Sequence, residues 1–372
     1  MRILFAFAGG PGHGEPLVPV AAAAAQAGHD VLFAGRPSAL ESLAARGFRV
    51  HVTEEPRTAP RARKPLLPVD LERERRDFEQ GFAGRGARAK APRLVELFGT
   101  WRPDVVVCDE SDFGSMIAAE RFGIPHVVVL VIAARSFADP HLVAPVLDEI
   151  RADHGLPPDP DAAMVHGALT LAPFPPTYRD PVSPLPPRTH CYRPGPVPQV
   201  TRSVPPLVYF TLGTEFNVES GDLFPRVLAG LRELPAEVVV TVGRDIDPAE
   251  LGLQPVHIRV EQFVPQAELL GRASLVVSHA GSGSVLGALQ HGLPMVLMPM
   301  GADQPYNAMR CVELGVARSL DVIAATSEDV RDAAAAVLTE PAYRHAAEGL
   351  RDSFAELPGP ESALAAVAQA AG

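Results

Sequence analysis

The chain is poor in cysteine, tryptophan and lysine, and it has no long apolar run. Three cysteines, Cys108, Cys191 and Cys311, lie far apart among 372 residues, so neither a disulfide framework nor a cysteine zinc site is legible. The longest uninterrupted apolar run, residues 127–134, is far short of the ~20 residues of a membrane-spanning helix. Residues 3–8 are too few for a signal-peptide core, and no small-residue cleavage site follows them. The expectation is a soluble protein of a reducing cytoplasm, with no membrane span. Lys64 and Lys90 are the only lysines, so positive charge is almost all arginine. A net charge of -11 argues against general nucleic-acid binding. One segment departs from this balance. Residues 57–93 hold eleven of the 33 basic residues, interleaved with Asp70, Glu72, Glu74, Asp77 and Glu79. The mixed pattern reads as a solvated helix and loop region, with a polyanion site as the alternative.

What the chain does have is 47% hydrophobic residues and enough length for two domains. Residues 3–8 form an apolar run bounded by glycine. Pro16 then marks a helix start, Gly28 its end, and residues 30–33 resume as strand, which makes a βαβ unit. DVVVC at 104–108 and PHVVVLV at 125–131 have the composition of strands buried on both faces, as in parallel sheets, with a helix at 116–122 between them. Residues 173–206 are dominated by proline and read as a stiff linker. After it the pattern restarts. Strands are expected at 207–212, 237–242, 275–278 and 295–298. Helices are expected at 224–232, from about Ser284 to Gly292, at 328–338 with Ser327 as N-cap, and at 341–354. The expected architecture is α/β, two Rossmann-like domains facing across a cleft. Its boundaries are 1–190, a proline-rich linker at 191–206, 207–355, and a C-terminal helix at 356–372.

Three constellations can carry chemistry. In HAGSGS, residues 279–284, a strand runs into small residues and a helix begins at once. Bare N–H groups at a helix start favour an anion. Gly281 and Gly283 permit close approach, and Ser282, Ser284 and His279 can donate. The alternative is a tight turn with Ser282 as a plain N-cap. Asp303 and Gln304 follow the strand at 295–298, where a carboxylate and an amide suit polyol hydroxyls, or where Asp303 merely caps a loop before Pro305. His13 and Asp109 each follow a strand, so both point to the carboxyl edge of a sheet. A carboxylate beside an imidazole fixes its tautomer and supports general-base work; each residue alone could equally cap a turn. Asp245, Asp247, Asp159 and Asp161 have an Asp-x-Asp spacing but read as turns. No zinc-spaced histidine pair or nucleophile elbow occurs, and no metal is expected.

These motifs together resemble the two-domain GT-B glycosyltransferases of family 1, in particular bacterial natural-product glycosyltransferases. The matching stretches are GHGEPLVPVAAAAAQAGHDV near the start, FTLGT at 210–214, VEQFVPQAELLGRASLVVSHAGSGSVLGALQHGLPMVLMP at 260–299, and GADQPYNAMRCVELGVA at 301–317. The resemblance implies inverting transfer of a sugar from a nucleotide diphosphosugar, a co-substrate rather than a cofactor, to a small-molecule aglycone. It implies His13 as base with Asp109 as partner. It assigns His279, Gly281, Ser282, Gly283, Ser284 and Thr214 to the diphosphate, Phe263 and Val264 to the base, and Asp303 and Gln304 to the sugar. Related plant enzymes carry a glutamate for the ribose hydroxyls where this chain has Gly287. That departure is compatible with a thymidine diphosphate donor and hence with a deoxysugar. Acceptor candidates are Phe78, Phe82, Phe113 and Phe137, together with the 57–93 segment; each could instead be core or surface. C-glycosylation, a sugar-nucleotide 2-epimerase and a non-catalytic nucleotide-sugar binder are the competing readings, and homodimerisation is left open.

Overall fold

The computed structural model describes residues 1–55, 62–137 and 139–372. The chain divides into two compact units. Among the described residues one unit comprises 1–55, Glu72–Pro196 and Leu357–Gly372, and the other 62–71 and Val197–Glu356. The first is built on strands β1 Arg2–Ala6, β2 Asp30–Gly35, β3 Arg49–Val52, β4 Val105–Asp109, β5 His126–Val129, β6 Leu169–Ala172 and β7 Thr189–Cys191. They lie side by side in the order β3-β2-β1-β4-β5-β6-β7. The second holds β8 Leu207–Thr211, β9 Glu237–Thr241, β10 Ile258–Glu261, β11 Leu275–Ser278, β12 Met295–Leu297 and β13 Ala317–Ser319. Their order is β10-β9-β8-β11-β12-β13. Every pairing in both sheets is parallel. Parallel strands need crossover connections that cover both faces, which is why β4 and β11 read as unbroken apolar runs and are wholly buried.

Each sheet reverses its direction of growth once, between β1 and β4 in the first and between β8 and β11 in the second. At such a reversal the flanking connections leave to opposite faces, and a crevice opens beyond the carboxyl ends of the two central strands. The chain puts its motifs at those four ends. His13 follows β1 and Asp109 closes β4; Gly213 and Thr214 follow β8 and His279 follows β11.

The proline-rich stretch is not linker throughout. Residues 189–191 pair with β6 as the edge strand β7, where prolines to either side cost no ladder bonds. Tyr192 is wholly buried and its hydroxyl donates to Pro16 O at 3.2 Å. The first unit runs on to Pro196 and the second resumes at Val197, ten residues before the expected 207. A second departure is residues 62–71, which lie between two stretches of the first unit yet belong to the second. Lys64 N donates to Val218 O at 2.8 Å, Lys64 Nζ to Glu219 at 2.7 Å, and Leu66 packs on that unit's core. Residues 57–61 of the arginine-rich segment lie outside the described residues. From Leu71 the segment is helical, first Leu71–Phe78, then a π-helical stretch Glu79–Gly86 leading into Ala87–Thr100. The last helix, Pro360–Ala370, returns to the first unit and buries Ala363, Leu364 and Val367. Helices begin at Phe113 and Ser282, earlier than the sequence pattern suggests. Thr326, not Ser327, caps helix Ser327–Thr339, because its hydroxyl and the Asp329 carboxylate close a reciprocal capping box. Asp247 does the same for a 3-10 turn with Glu250, and Asp159 accepts from Ala163 and Met164 N–H.

Candidate active site

In the first unit, the turn after β1 is short and glycine-rich. Gly10 precedes helix Pro11–Gly14, and Pro11 pre-sets the helical φ at its first position. His13 therefore stands one short turn from the sheet edge. Its Nδ1 is 3.2 Å from Asp109 Oδ1. Gly9 has φ +91 and a Cβ there would lie 3.0 Å from His13 Cδ2, so the bare backbone forms one wall of the ring. Asp109 is wholly buried and accepts from Ala8 N at 2.6 Å and Ser111 N at 2.7 Å. Burial by itself would raise its pKa. The His13 ring and the hydrogen bonds from His13, Ser111 and Ala8 outweigh that and hold the carboxyl below its ordinary value.

The four phenylalanines converge on this histidine in a chain of ring contacts. Phe82 stacks on the His13 ring at 5.4 Å between centroids, and Phe78 meets Phe82 at 5.4 Å. Phe78 also meets Phe137 at 5.6 Å and Phe113 at 5.9 Å. Their exposures differ. Phe113 is fully buried, and Phe78 and Phe137 nearly so. Phe113 is therefore core that backs the others, and Phe82 is the half-exposed ring of the set. Phe82 is carried by the π-helical stretch, whose wider turns need small residues. A Cβ on Gly86 would come 2.9 Å from Gly81 O.

Beneath the histidine the platform is stiffened by a buried ion pair. Lys90 Nζ donates to Phe7 O at 2.6 Å and to Asp112 Oδ2 at 2.5 Å. That joins helix Ala87–Thr100 to the end of β1 and to the N-cap of helix Phe113–Arg121. Gly114 lets the two helices approach, since a Cβ there would be 2.9 Å from Lys90 Cβ.

Glu110, beside Asp109, is a second buried carboxyl. Its Oε1 accepts from Val131 N and Ile132 N at 2.8 and 2.7 Å, while Arg179 Nη1 donates to Ile132 O and Ala133 O at 3.0 Å. The loop after β5 is thus gripped by its amides and by its carbonyls. Burial pushes the Glu110 carboxyl up to about 7, with the Arg179 charge opposing. An acid raised on folding contributes stability below its unfolded value and loses it as pH rises through the folded one. Between pH 4.5 and 8 this group should therefore remove roughly 3 kcal/mol of unfolding free energy. In Glu110→Gln that share of the pH dependence should vanish. Urea unfolding at several pH values measures it, and parallel curves for the two proteins would refute it.

In the second unit, β11 delivers His279 and then Ala280, which takes φ +68, before helix Ser282–Gln290 starts. The helix N-cap is Gly281, and no side chain caps it, so Ser282 is not a plain N-cap. The first-turn N–H groups of a helix without a side-chain cap are available to an anion. His279 is buried, and burial pulls its ring down to about 4, so it is neutral at physiological pH. Its Nδ1 is buried with no partner among the described residues. Two glycines hold the ring on either side. A Cβ on Gly213 would lie 2.7 Å from His279 Cε1 and Nε2, and one on Gly281 2.6 Å from Nε2. Gly283 is exposed, with nothing within 4 Å of a Cβ, and Ser284 is half-buried. Thr214 is exposed beyond β8. Phe263 is 66% exposed, an unusual state for a large ring, and Val264 beside it is half-buried.

Asp303 and Gln304 occupy the head of helix Gln304–Glu313 but face different tasks. Asp303 Oδ2 accepts from Ser282 Oγ at 2.6 Å and from Asn307 Nδ2 at 2.7 Å. Gln304 is buried, and its Oε1 accepts from Met300 N at 2.8 Å and Gly301 N at 3.2 Å. Its oxygen therefore holds the loop rather than presenting an acceptor to a ligand. Asn307, which sequence reasoning passed over, is wholly buried and also donates to Ala280 O at 3.0 Å. One helical turn after Asp303 is the only signal it left. Gln266 was missed too. Its Nε2 is buried without a partner among the described residues and lies 3.6 Å from where a Gly287 Cβ would be.

Comparison with known proteins places this geometry in a family. The model described as "Erythromycin biosynthesis protein CIII-like, C-terminal domain" matches residues 225–369. L-demethylnoviosyl transferase of Streptomyces niveus is 30% identical over 334 residues, 86% of this chain and 85% of the relative. Demethyllactenocin mycarosyltransferase of Streptomyces fradiae is 28% identical, over 94% of this chain and 82% of the relative. Among solved structures, the spinosyn rhamnosyltransferase SpnG matches with a TM-score of 0.83 at 23% identity, over 99% of this chain and 100% of that one. With parallel Rossmann-like sheets in both units and relatives of this kind along nearly its whole length, the chain belongs to the GT-B glycosyltransferases of natural-product biosynthesis.

Proposed function

We propose that this enzyme transfers a sugar with inversion from a nucleotide diphosphosugar to a hydroxyl of a small-molecule natural product, with His13 as general base. The observation that carries the reading is the His13–Asp109 pair at the switch point of the first sheet. Asp109 is held ionised and accepts from the ring, so an imidazole beside it can take a proton and be stabilised as imidazolium. Departure of a nucleoside diphosphate builds negative charge on a phosphate oxygen. The first-turn amides of helix Ser282–Gln290, Ser282 N–H among them, the Ser284 hydroxyl and a neutral His279 N–H are donors for that charge, while the Ser282 hydroxyl is spent on Asp303. Thr214 adds a hydroxyl. Phe263 offers an exposed ring for the nucleobase, Val264 the next amide, and Asp303 a carboxylate for sugar hydroxyls. Phe82, backed by Phe78, Phe137 and Phe113, gives an acceptor a flat apolar surface against the base.

The donor is inferred to be linked to thymidine diphosphate. Gly287 supplies no carboxylate, and a side chain there would press on Leu270 Cδ1 at 3.2 Å. A ribose 2′-hydroxyl therefore meets no carboxylate at this position. The relatives' names describe mycarosyl and demethylnoviosyl transfer; for this chain a deoxysugar is inferred from the thymidine diphosphate reading. Matched thymidine- and uridine-diphosphate sugars assayed with a panel of hydroxylated aglycones test the reading. The thymidine donors should be favoured about tenfold in kcat/KM, the scale of one differential contact. The product's anomeric configuration, read by NMR, should be opposite to the donor's. A strong preference for uridine donors overturns the nucleotide assignment, and retention of configuration overturns the single-displacement mechanism.

A further inference from the structure

Two residues beyond Asp109 stands Ser111, wholly buried. Its hydroxyl is 2.5 Å from Asp109 Oδ1 and 3.1 Å from His13 Nδ1. A hydroxyl has one hydrogen to give, and an ionised carboxylate can only accept. The short contact to Asp109 therefore takes the Ser111 hydrogen and turns an oxygen lone pair toward the ring. His13 Nδ1 then faces two acceptors, Asp109 Oδ1 at 3.2 Å and Ser111 Oγ at 3.1 Å. It must carry the ring hydrogen, which leaves the lone pair on Nε2. In the other tautomer Nδ1 would point a lone pair at two acceptors, and a buried repulsion would replace a hydrogen bond.

We propose that Ser111 is a positioning residue for glycosyl transfer: through its shared contact with Asp109 Oδ1 and His13 Nδ1 it fixes the imidazole as the Nδ1–H tautomer. The inference rests on the reading of His13 as base, but its geometry does not. The other ionisable groups around Asp109 are Cys108 on the same strand, Glu110, and Asp112 with Lys90 from the neighbouring helix. Glu110 is engaged with the loop after β5, and Lys90 with Asp112 and Phe7 O. The hydrogen bonds that set Asp109 come from Ala8, His13 and Ser111.

The test compares Ser111→Ala with Ser111→Thr, which keeps the hydroxyl. Ring 15N shifts of His13 report the tautomer directly, and kcat/KM against pH reports its consequence. In Ser111→Ala the Nε2–H form should become readily detectable, and kcat should fall about tenfold with the donor KM unchanged, part of the ~10²–10⁴ that base assistance supplies. Loss of the hydroxyl removes a donor that neutralises the Asp109 charge and an acceptor for the ring's Nδ1–H, so the acid limb should leave its wild-type position. Ser111→Thr should restore tautomer, rate and limb to within about threefold, well inside that range. Thermal melting checks that Ser111→Ala is folded; if it is not, Ser111→Cys, a similar-sized weak donor, replaces it with the same expectations. A wild-type tautomer and acid limb in the folded variant overturn the proposal, whatever His13 does. Full activity in His13→Ala overturns the base reading instead, and leaves the tautomer measurement standing as a separate result.

Discussion

His13→Ala is expected to lower kcat by about 10²–10⁴-fold while leaving affinity for the nucleoside diphosphate unchanged. The two halves of that expectation come from different units of the chain. On the proposed mechanism the imidazole takes the acceptor proton, and its loss leaves water or the unassisted hydroxyl to do it. The residual rate should stay well above background, because the proposed donors at the start of helix Ser282–Gln290 are untouched by the substitution. The proposed diphosphate site lies in the other unit, so thymidine diphosphate affinity, measured by calorimetry, should not move. Asp109→Asn should show the same pattern with a smaller loss. The amide cannot stabilise an imidazolium, yet it still occupies the pocket formed by Ala8 N and Ser111 N. Wild-type turnover of a phenolic acceptor by His13→Ala would remove His13 from the chemistry. A parallel loss of diphosphate affinity would mean that the substitution had disturbed the fold rather than the base.

Much of this site can be read from the sequence because parallel sheets make strands conspicuous and their ends predictable. VVVCD and LVVS are buried on both faces, and the residue that ends or follows each lies at the carboxyl edge of a parallel sheet, the edge at which ligands bind in such folds. That is why His13, Asp109 and His279 are legible as candidates before any coordinates. What escapes is whatever depends on contacts distant in sequence or on very local geometry. Ser111 looks like a small polar residue in a loop, and only the approach of His13, 98 residues earlier, gives its hydroxyl a second partner. Asn307 sits on an ordinary helix, and its role depends on Ala280 adopting φ +68 at the far end of a loop. Residues 62–71 carry no composition signal that would send them to the other unit, since Lys64 is secured by Val218 O and Glu219. The edge strand β7 is three residues long inside a proline-rich window, too short for any alternation to register. The π-helical stretch that carries Phe82 differs from an α-helix in hydrogen-bond pattern, which composition does not encode beyond its three glycines.

Gly213→Ala should be the most damaging substitution on the donor side. At φ +71 an alanine pays for a left-handed backbone, and its Cβ falls 2.7 Å from two atoms of the His279 ring. The backbone term alone costs about 1–2 kcal/mol, which should appear as a melting shift of several degrees. The steric term must be relieved by moving the ring, and the ring is a donor of the proposed anion site. A loss of about 100-fold in affinity for thymidine diphosphate follows, equivalent to ~3 kcal/mol. Gly281→Ala separates the two effects. Its φ of -61 suits any residue, so the stability loss should be small, but its Cβ would lie 2.6 Å from His279 Nε2 and should cost affinity almost as much. Gly283→Ala gives the opposite contrast. A Cβ there meets no protein atom within 4 Å, and alanine is the better helix former, so the free enzyme should be unchanged or more stable by ~0.5–1 kcal/mol. If the space above Gly283 is where the diphosphate lies, that more stable variant should still bind it less well. Calorimetric titration of the three variants beside their melting temperatures measures all of this. Undiminished affinity in both Gly213→Ala and Gly281→Ala would show that the His279 ring is not part of the anion site.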